Sequence, residues 1–406
     1  MISMFTFYRG KHFKETPIGK IPEDWKIKKL ENLAVDIYYG ITAKAVERKT
    51  NLKMLRTTDI KDYSIDWDNL PFCEITEKKS KLSKYFLKKG DLIVARAGTA
   101  GVSVLVEGDF DKVIFGSYLI KIRLKNEVLP KYIHYFFQSD IYWYHIISNQ
   151  AGSTLKNINL PILRSLKIPI PSSLQEQKAI VHILSTIDEA IQKTNEIIEK
   201  IKRLKRGLMQ ELLTKGIGHK EFKNTEIGRM PKEWKVVKIG NVLSLEYGKG
   251  LPERKRVPGS YPVVGSNGIV GYHNQALVKG PGIVVGRKGT IGAVTWIDSD
   301  FWPIDTTYYV KTKTSKVSLK WLFYELTYLN PARFRLADVV PGLKRELVHA
   351  LKMPFPPLPE QEKIAEILLT VDKMLEVERK KRERLKRIKK AIMNLLLTGK
   401  IRVKVR

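Results

Sequence analysis

The stretch TPIGKIPEDWKIKKLENL, Thr16–Leu33, recurs with changes as TEIGRMPKEWKVVKIGNV, Thr225–Val242. Eight of the eighteen aligned positions are identical, and the same offset of 209 residues also aligns Phe13-Lys14 with Phe222-Lys223. A long motif that returns in this way indicates an internal duplication. The chain is therefore predicted to contain two copies of one structural unit.

Three further pairs of segments recur in the same order, which supports the duplication. They are LIVARAGTAG (Leu92–Gly101) with IVVGRKGTIG (Ile283–Gly292), IPIPSSLQEQKAIVHILSTID (Ile168–Asp188) with MPFPPLPEQEKIAEILLTVD (Met353–Asp372), and LMQELLT (Leu208–Thr214) with IMNLLLT (Ile392–Thr398). Two dissimilar stretches lie between the Trp25 motif and the Gly98 loop and at the equivalent place in the second copy. They are here named the first divergent window (Met54–Thr76) and the second divergent window (Arg254–Asn274). Similar flanking segments around dissimilar windows suggest a shared structural frame that carries two different recognition surfaces.

Short apolar runs and aromatic spacing predict mixed structure in each copy. Strands are predicted at DLIVARAG (91–98), VIFGSYLIKIRL (113–124), GIVVGRKG (282–289) and TTYYVKTK (306–313). Helices are predicted at 128–146 and 318–334, where aromatic residues recur at steps of three and four. These aromatic residues are typical of a core rather than of platforms that stack on bases.

Each copy is predicted to end in a long helix. Ser173 and Glu176 form a capping-box signature, and Pro359 suits the first turn of the second helix. Gly216 and Gly399 follow the apolar pattern and suit the two helix ends.

An apolar seven-residue repeat follows both helices, which is the pattern of a coiled-coil seam. Its positions are Ile180, Ile187, Thr194, Ile201 and Leu208 with Leu184, Ile191, Ile198 and Leu212, then Ile364, Val371, Leu385 and Ile392 with Leu368, Leu375 and Leu396. If the second helix packs along the first it must run back, so the pair is predicted to be antiparallel. The alternative is two independent domains on a flexible linker, which leaves both seams exposed at a cost in apolar burial.

The predicted fold class is α+β, with two pseudo-symmetric α/β domains separated by an antiparallel coiled coil of two long helices. The predicted boundaries are 1–172 for the first domain, 173–216 for the first helix, 217–357 for the second domain and 358–406 for the second helix.

The charge of the chain predicts a polyanionic partner. Lys and Arg number 73 against 42 Asp and Glu, for a net charge of +31 over 406 residues. Nucleic acid is the commonest partner of so basic a protein, whereas a thermophile-type surface adds Glu together with Lys. No apolar run approaches the ~18 residues of a membrane span. The first residues lack signal-peptide features, and Cys73 is the single cysteine. We therefore expect a cytoplasmic protein.

No pattern of catalytic residues is present in the sequence. The string closest to the Asp/Asn-Pro-Pro-aromatic loop of adenine methyltransferases is Asn330-Pro331-Ala332-Arg333, which does not match it. No phosphate-binding loop occurs, and the glycines of Gly286–Gly292 lack dinucleotide spacing. The acid-lysine run around Glu74 is more typical of a solvated surface than of a nuclease metal site. We predict a chain that does no chemistry itself.

These motifs together resemble the specificity subunit of type I restriction–modification enzymes. The resemblance lies in the Ile-Pro-x-x-Trp opening at Ile21–Trp25 and its variant at Met230–Trp234, the Gly-Thr-x-Gly loops at Gly98 and Gly289, and the paired stretches that open the long helices. Those stretches are PSSLQEQ (171–177) and PLPEQE (357–362). The resemblance covers nearly the whole chain.

The resemblance implies a fold, a function and a set of partners. Two target-recognition domains would each read one half of a split, asymmetric site in double-stranded DNA, and the two helices would fix the gap between the halves. The partners would be two copies of an adenine methyltransferase subunit and restriction/translocase subunits. S-adenosylmethionine, ATP and Mg²⁺ would belong to those partners, with no cofactor on this chain.

Fifteen residues are predicted to contact DNA, because they are basic or small residues in the duplicated loops or the divergent windows, or basic residues that follow the Gly-containing loops at 151–153 and 341–342. They are Arg56, Thr57, Thr58, Arg96, Gly98, Thr99, Lys156, Arg254, Lys255, Arg256, Arg287, Lys288, Thr290, Lys344 and Arg345. The loop glycines could equally serve only as turns with positive φ. Asp59 could accept a hydrogen bond from cytosine or cap a short helix.

Two other functions remain open from the sequence. One is a nucleic-acid-binding scaffold without sequence preference, which would show a steep salt dependence and no preferred site. The other is a self-contained nuclease or methyltransferase, which would turn over as the purified chain.

Overall fold

The computed structural model describes residues 5–75, 82–110, 112–150, 157–330 and 342–405. The chain divides into two compact units. Unit 1 comprises Met1–Lys193 and Lys381–Arg406, and unit 2 comprises Thr194–Lys380.

The first part of unit 1 contains short strands and four short helices. The strands are β1 (Phe5–Arg9), β2 (Phe13–Lys14), β3 (Ile21–Pro22), β4 (Lys26–Lys29), β5 (Ala34–Tyr39), β6 (Lys44–Val46), β7 (Lys53–Leu55), β8 (Ile60–Lys61), β9 (Ser64–Ile65), β10 (Phe72–Glu74), β11 (Leu92–Ala95), β12 (Ser103–Leu105), β13 (Val113–Phe115), β14 (Leu119–Leu124) and β15 (Lys167–Ile170). The helices are α1 (Leu30–Leu33), α2 (Pro130–Phe136), α3 (Asp140–Gln150) and α4 (Leu160–Arg164).

A long helix, α5 (Leu174–Lys215), then leads into unit 2. The strands that follow are β16 (Phe222–Thr225), β17 (Gly228–Pro231), β18 (Lys235–Lys238), β19 (Leu243–Tyr247), β20 (Tyr261–Gly265), β21 (Gly268–His273), β22 (Gly282–Gly286), β23 (Val294–Ile297), β24 (Trp302–Pro303), β25 (Thr307–Thr312) and β26 (Lys352–Phe355). The helices are α6 (Ile239–Val242), α7 (Leu319–Leu329) and α8 (Arg345–Ala350), and the chain closes with α9 (Leu358–Leu397) and β27 (Ile401–Val405).

The two units share one sheet topology. The antiparallel sheet β12-β11-β14-β5 of unit 1 corresponds strand for strand to β23-β22-β25-β19 of unit 2. The ribbons β4–β15 and β2–β3 correspond to β18–β26 and β16–β17. The central strands β11 and β22 are buried along their whole length, which explains why they consist of uninterrupted apolar runs. The predicted duplication is confirmed in the fold.

The divergent windows fold differently on this frame. In unit 1 the first window contributes to a four-stranded sheet, β13-β7-β10-β6, and to the small hairpin β8–β9. In unit 2 the second window forms most of a three-stranded sheet, β21-β20-β24, in which β20 and β21 make a hairpin. Both sheets keep one parallel pair, β7 with β13 and β20 with β24.

Most aromatic residues of the predicted helical stretches lie in the core, whereas Tyr144 and Tyr328 are exposed. Tyr132 and Tyr142 in unit 1 and Trp321 in unit 2 are fully buried. The stretch 128–146 forms two helices rather than one continuous helix. The break comes at Ser139, whose hydroxyl accepts a hydrogen bond from the Tyr142 amide and so begins a new helix. In the stretch 318–334, α7 ends at Leu329, and 331–334 lie outside the described residues.

The long helices run antiparallel, as predicted from their seams. In unit 1, Leu184 near the start of α5 shares a core with Leu396 near the end of α9. In unit 2, Leu212 near the end of α5 shares a core with Leu368 near the start of α9. Ile198 and Val371 extend this seam in unit 2. Several of the predicted seam positions are buried, including the polar Thr194 at 1% exposure.

A tryptophan–glutamate pair, here named the Trp–Glu clamp, is present in each unit. In unit 1 the indole Nε1 of the fully buried Trp25 donates to Glu176 Oε2 over 3.3 Å. Arg402, in β27, donates to both Glu176 oxygens over 2.9 and 2.8 Å, and it pairs with Asp24. The hydrogen bonds and burial hold the start of α5, the Trp25 motif and the chain after α9 together.

Unit 2 repeats the Trp–Glu clamp with one change. Trp234 Nε1 donates to Glu360 Oε2 over 2.8 Å, and His219 takes the place of the arginine, with its Nε2 2.8 Å from Glu360 Oε1. Gly216 ends α5 with φ +69°, and a Cβ there would lie 2.6 Å from Trp234 Cζ2. Gly399 has φ +67° and lies against Trp25 in the same way.

The predicted capping box at the start of α5 does not form, although Ser173 still caps the helix. Ser173 Oγ accepts a hydrogen bond from the Gln175 amide, as a capping side chain does. Glu176, however, is bound to Trp25 and Arg402 instead of the backbone of Ser173. A buried indole N–H and a guanidinium compete for this carboxylate more strongly than one backbone amide can.

A second duplicated contact ties α5 and α9 to the aromatic helices. Tyr135 donates to Asp188 Oδ2 over 2.8 Å in unit 1, and Tyr324 donates to Asp372 Oδ2 over 2.8 Å in unit 2. In each unit the aspartate also pairs with a lysine of the other long helix: Lys389 with Asp188 at 2.7 Å, and Lys205 with Asp372 at 2.5 Å. These pairs join the two long helices within each unit.

Loss of the Trp–Glu clamp should destabilise unit 2. In Glu360→Ala the buried Trp234 N–H loses its acceptor, which we expect to lower the free energy of unfolding by about 1–3 kcal/mol. Thermal unfolding followed by tryptophan fluorescence measures the change. Glu362→Ala, at an exposed position of the same helix, is the matched control. Equal stability of the two variants would contradict a structural role for the clamp.

A buried carboxyl group makes the stability of unit 2 pH-dependent. Glu325 in α7 is 1% exposed, its Oε2 has no hydrogen-bond partner, and burial raises its pKa from 4.5 to about 8. Between those values the folded chain keeps a proton that the unfolded chain has lost, so stability falls as the pH rises. Glu325→Gln should flatten this fall, as measured by unfolding at pH 5, 6.5 and 8. An unchanged slope would contradict the prediction.

Candidate nucleic-acid interface

The loop Arg96–Gly101 of unit 1 follows the buried strand β11 and has a well-defined backbone. The Arg96 amide donates to Tyr118 O over 2.9 Å, and Arg96 O accepts from the Ile158 amide over 2.8 Å. The Gly101 amide closes the loop by donating to Ala95 O over 2.8 Å. Gly98, at the tip, has φ +70°, and a Cβ there would meet nothing within 4 Å.

The loop Arg287–Gly292 of unit 2 repeats these bonds. The Arg287 amide donates to Thr306 O over 2.9 Å, and Arg287 O accepts from the Leu343 amide over 2.9 Å. The Gly292 amide donates to Gly286 O over 2.8 Å. Gly289 has φ +71°, matching Gly98. Both glycines therefore satisfy the turn requirement, and their exposed tips leave the loops accessible to a ligand.

Each loop arginine stacks on a tyrosine that the sequence analysis did not single out. The Arg96 guanidinium lies 4.5 Å from the ring centre of Tyr39, and that of Arg287 lies 4.9 Å from Tyr247. Both tyrosines end equivalent strands, β5 and β19, and each is followed by a glycine. The repeated Tyr-Gly pair was the signal in the sequence. Stacking orients each guanidinium while leaving donors for a phosphate or a base.

Unit 2 brings a second arginine to the same ring. The Arg345 guanidinium also lies 4.9 Å from Tyr247, and it pairs with Glu346. Arg287 Nη1 donates to Asp305 O over 3.1 Å. Two guanidinium groups on one tyrosine make a concentrated positive surface, here named the Tyr247 cluster (Tyr247, Arg287 and Arg345).

In the first divergent window, Arg56 is engaged within the protein. Its Nε and Nη2 donate to Asp59 over 3.1 and 2.8 Å, and its amide also donates to Asp59 Oδ2 over 2.8 Å. Of the two roles left open for Asp59, the structure shows the cap of the short 3₁₀ turn Thr57–Asp59. The hydrogen bond to Asp59 raises the pKa of Arg56. Thr58 on this turn is exposed.

In the second divergent window the three basic residues differ. Arg256 donates to Val270 O over 2.8 Å and to Leu251 O over 3.3 Å, so it holds the β20–β21 hairpin. Arg254 and Lys255 lie on an exposed 3₁₀ turn, and their side chains make no hydrogen bond or ion pair with the described part of the chain.

The remaining predicted residues are distributed between these surfaces. Thr99, Lys288 and Thr290 are exposed at the loop tips, and Lys344 precedes α8 beside Arg345. Lys156 lies outside the described residues. Across the residues that the structure describes, no group of three or more His, Cys, Asp or Glu could hold a metal ion. In the same part of the chain, no helix is long and apolar enough to cross a membrane.

The repeated frame matches a known family. The family model described as "Type I restriction modification DNA specificity domain" matches residues 22–203 and again residues 231–387. The chain belongs to this family. The two matches coincide with the two copies of the duplicated frame.

Full-length relatives support the same assignment. The chain is 34% identical to the putative type I restriction enzyme MjaX specificity subunit of Methanocaldococcus jannaschii, with all of both chains covered. It is 28% identical to the MjaVIII specificity subunit of the same organism, over 100% of this chain and 99% of that one. As a specificity subunit, the chain is a non-catalytic component of DNA recognition in type I restriction systems, as predicted.

A solved structure shows the same fold. The type I S subunit from M. genitalium aligns with a TM-score of 0.61 at 18% identity, over 94% of this chain and 98% of that one. The predicted fold class is confirmed.

Arginine substitutions in the duplicated loops test whether they contact DNA. Arg287→Ala should weaken binding to duplex DNA by roughly 1 kcal/mol or more and lower the salt dependence by about one phosphate contact. Arg96→Ala should do the same. Fluorescence anisotropy at several salt concentrations measures both effects.

The matched control is Arg229→Ala, which removes another surface arginine of unit 2 that stacks on an aromatic ring, Phe222, outside these loops. If both loop variants bind duplex DNA as tightly as the parent, the loops serve only as structural turns.

Proposed function

We propose that this specificity subunit reads a bipartite, asymmetric site in double-stranded DNA, one half with each unit. The observation that carries the proposal is the combination of a duplicated frame with dissimilar windows. Equivalent arginine loops would contact the phosphate backbone of each half-site, and the divergent windows would read different bases. The net charge of +31 supports attraction to DNA.

In this proposal, α5 and α9 set the distance between the two half-sites. Their antiparallel pairing, the apolar seam and the lysine–aspartate pairs make them a stiff element. At about 1.5 Å per residue, the 42 residues of α5 extend for roughly 63 Å, which exceeds one DNA turn of about 34–36 Å.

The proposed partners are two copies of an adenine methyltransferase subunit together with restriction/translocase subunits. Repeat-equivalent apolar residues, Leu204 in unit 2 and Ile388 in unit 1, are exposed on the long helices and would suit one protein partner each. S-adenosylmethionine, ATP and Mg²⁺ would be bound by the partners, and this chain would bind none of them.

A helix insertion tests the spacer after the parent site has been mapped. The parent is co-expressed with its methyltransferase, and the methylated adenines are located. Four residues are then inserted after Thr194 and four after Glu378, the equivalent position in α9, which lengthens each helix by about 6 Å and nearly completes a turn. Both half-sites should stay the same, while the gap grows by one or two base pairs.

The control carries the same four residues in the exposed turn Lys125–Glu127 and should keep the parent gap. A folded, methylating double-insertion variant that keeps the original gap would contradict the spacer role. A parent that shows no preferred site would favour the scaffold function instead.

A further inference from the structure

The β20–β21 hairpin of unit 2 exposes apolar side chains on an edge strand. Ile269 and Tyr272 in β21 are 51% and 54% exposed. β21 is the edge strand of β21-β20-β24, and its sequence GIVGYH contains no lysine, acid or proline. Large apolar side chains exposed together on one edge strand point to a partner that covers them.

The hairpin is held in a defined shape. Its register shifts between Val263 and Val264, and the Arg256 guanidinium bonds the Val270 carbonyl at this irregularity. Behind it, His273 is buried and accepts a hydrogen bond from the Val257 amide over 3.0 Å. The exposed residues therefore project from a rigid element, which is what a recognition surface requires.

The surroundings of the hairpin identify its partner as a polyanion. Its turn lies against the duplicated loop: a Cβ on Gly289 would be 3.1 Å from Ser266 Oγ. That loop carries Lys288 and leads into the Tyr247 cluster. Arg254 and Lys255 stand at the other end of the window. Arg256, which follows them directly, bonds the Val270 carbonyl of β21. An apolar ribbon with cationic residues near its turn and beside its edge strand complements a DNA groove, whose floor is bases and whose rims are phosphates.

We infer that the β20–β21 hairpin is the base-reading element of unit 2, that it enters the major groove, and that Ile269 and Tyr272 contact thymine methyl groups there. The inference rests on the proposed function. It adds the structural element of unit 2 that reads bases and the chemical group, the thymine methyl, that this element recognises. A two-stranded ribbon fits the major groove, and the thymine C5-methyl is the apolar group exposed on its floor. The corresponding window of unit 1 folds differently, so the two half-sites are read by different elements.

The experiment uses the full chain in complex with its methyltransferase and a duplex that carries the mapped site. Thymidines of each half-site are replaced one at a time by deoxyuridine, which removes only the methyl group. The parent should lose roughly fivefold or more in affinity at one or two thymidines of a single half-site. Ile269→Ala or Tyr272→Ala should bind thymidine and deoxyuridine equally at those positions and leave the other half-site unchanged.

Two controls separate this inference from a general loss of binding. Ile227→Ala removes an exposed isoleucine of unit 2 outside the hairpin and should keep the parent's discrimination. Ile269→Val keeps an apolar contact and should retain most of it. If both alanine variants distinguish thymidine from deoxyuridine as well as the parent does, the inference is overturned. The proposed function would stay intact.

Other outcomes also decide the question. Variants that keep their base preference but fail to assemble with the methyltransferase would show that the hairpin contacts protein, which overturns the inference. The inference is also overturned if no thymidine in the half-site of unit 2 can be replaced by deoxyuridine with a loss of affinity. A parent without any preferred site removes the proposed function, and the inference with it.

Discussion

The fold of each unit depends on a buried tryptophan whose only hydrogen-bonding atom must find an acceptor. Trp25 and Trp234 both find it in the first turn of a long helix, at Glu176 and Glu360. Because an unpaired N–H in the core costs about 1–3 kcal/mol, this one bond determines where the helix begins relative to the sheet. Glycines that end the other long helix pack against the same indoles, so one clamp joins three distant parts of the chain.

Under the proposed function, the clamp also explains how a duplicated protein would read two different sequences. Its members lie in the segments that recur, whereas the divergent windows lie on the far part of the frame, where they form their own small sheets. Changes in a window therefore leave the Trp–Glu clamp and the helix seam untouched.

Several site residues make contacts that residue type and position alone did not reveal. Arg56 and Arg256 were predicted as DNA contacts because they are basic and lie in the windows, yet both bind groups of their own unit. The tyrosines beneath Arg96 and Arg287 were missed, since each lies about 40 to 60 residues from its arginine in sequence and meets it across the sheet. The pairing of β1 with β27, which joins the two ends of the described chain, has no local signal either.

The duplication, the two long helices, their seam, their antiparallel direction and the family can all be inferred from the amino-acid sequence. These features are periodic or repeated, so neighbouring residues carry the information. The partners of the buried and half-buried polar groups could not be inferred in this way: Glu176 binds Trp25 rather than the backbone at the start of its own helix, and Arg256 binds the Val270 carbonyl. Polar groups compete for partners, and a charged or polar side chain takes the strongest partner that folding brings within reach, which in both cases lies far along the chain.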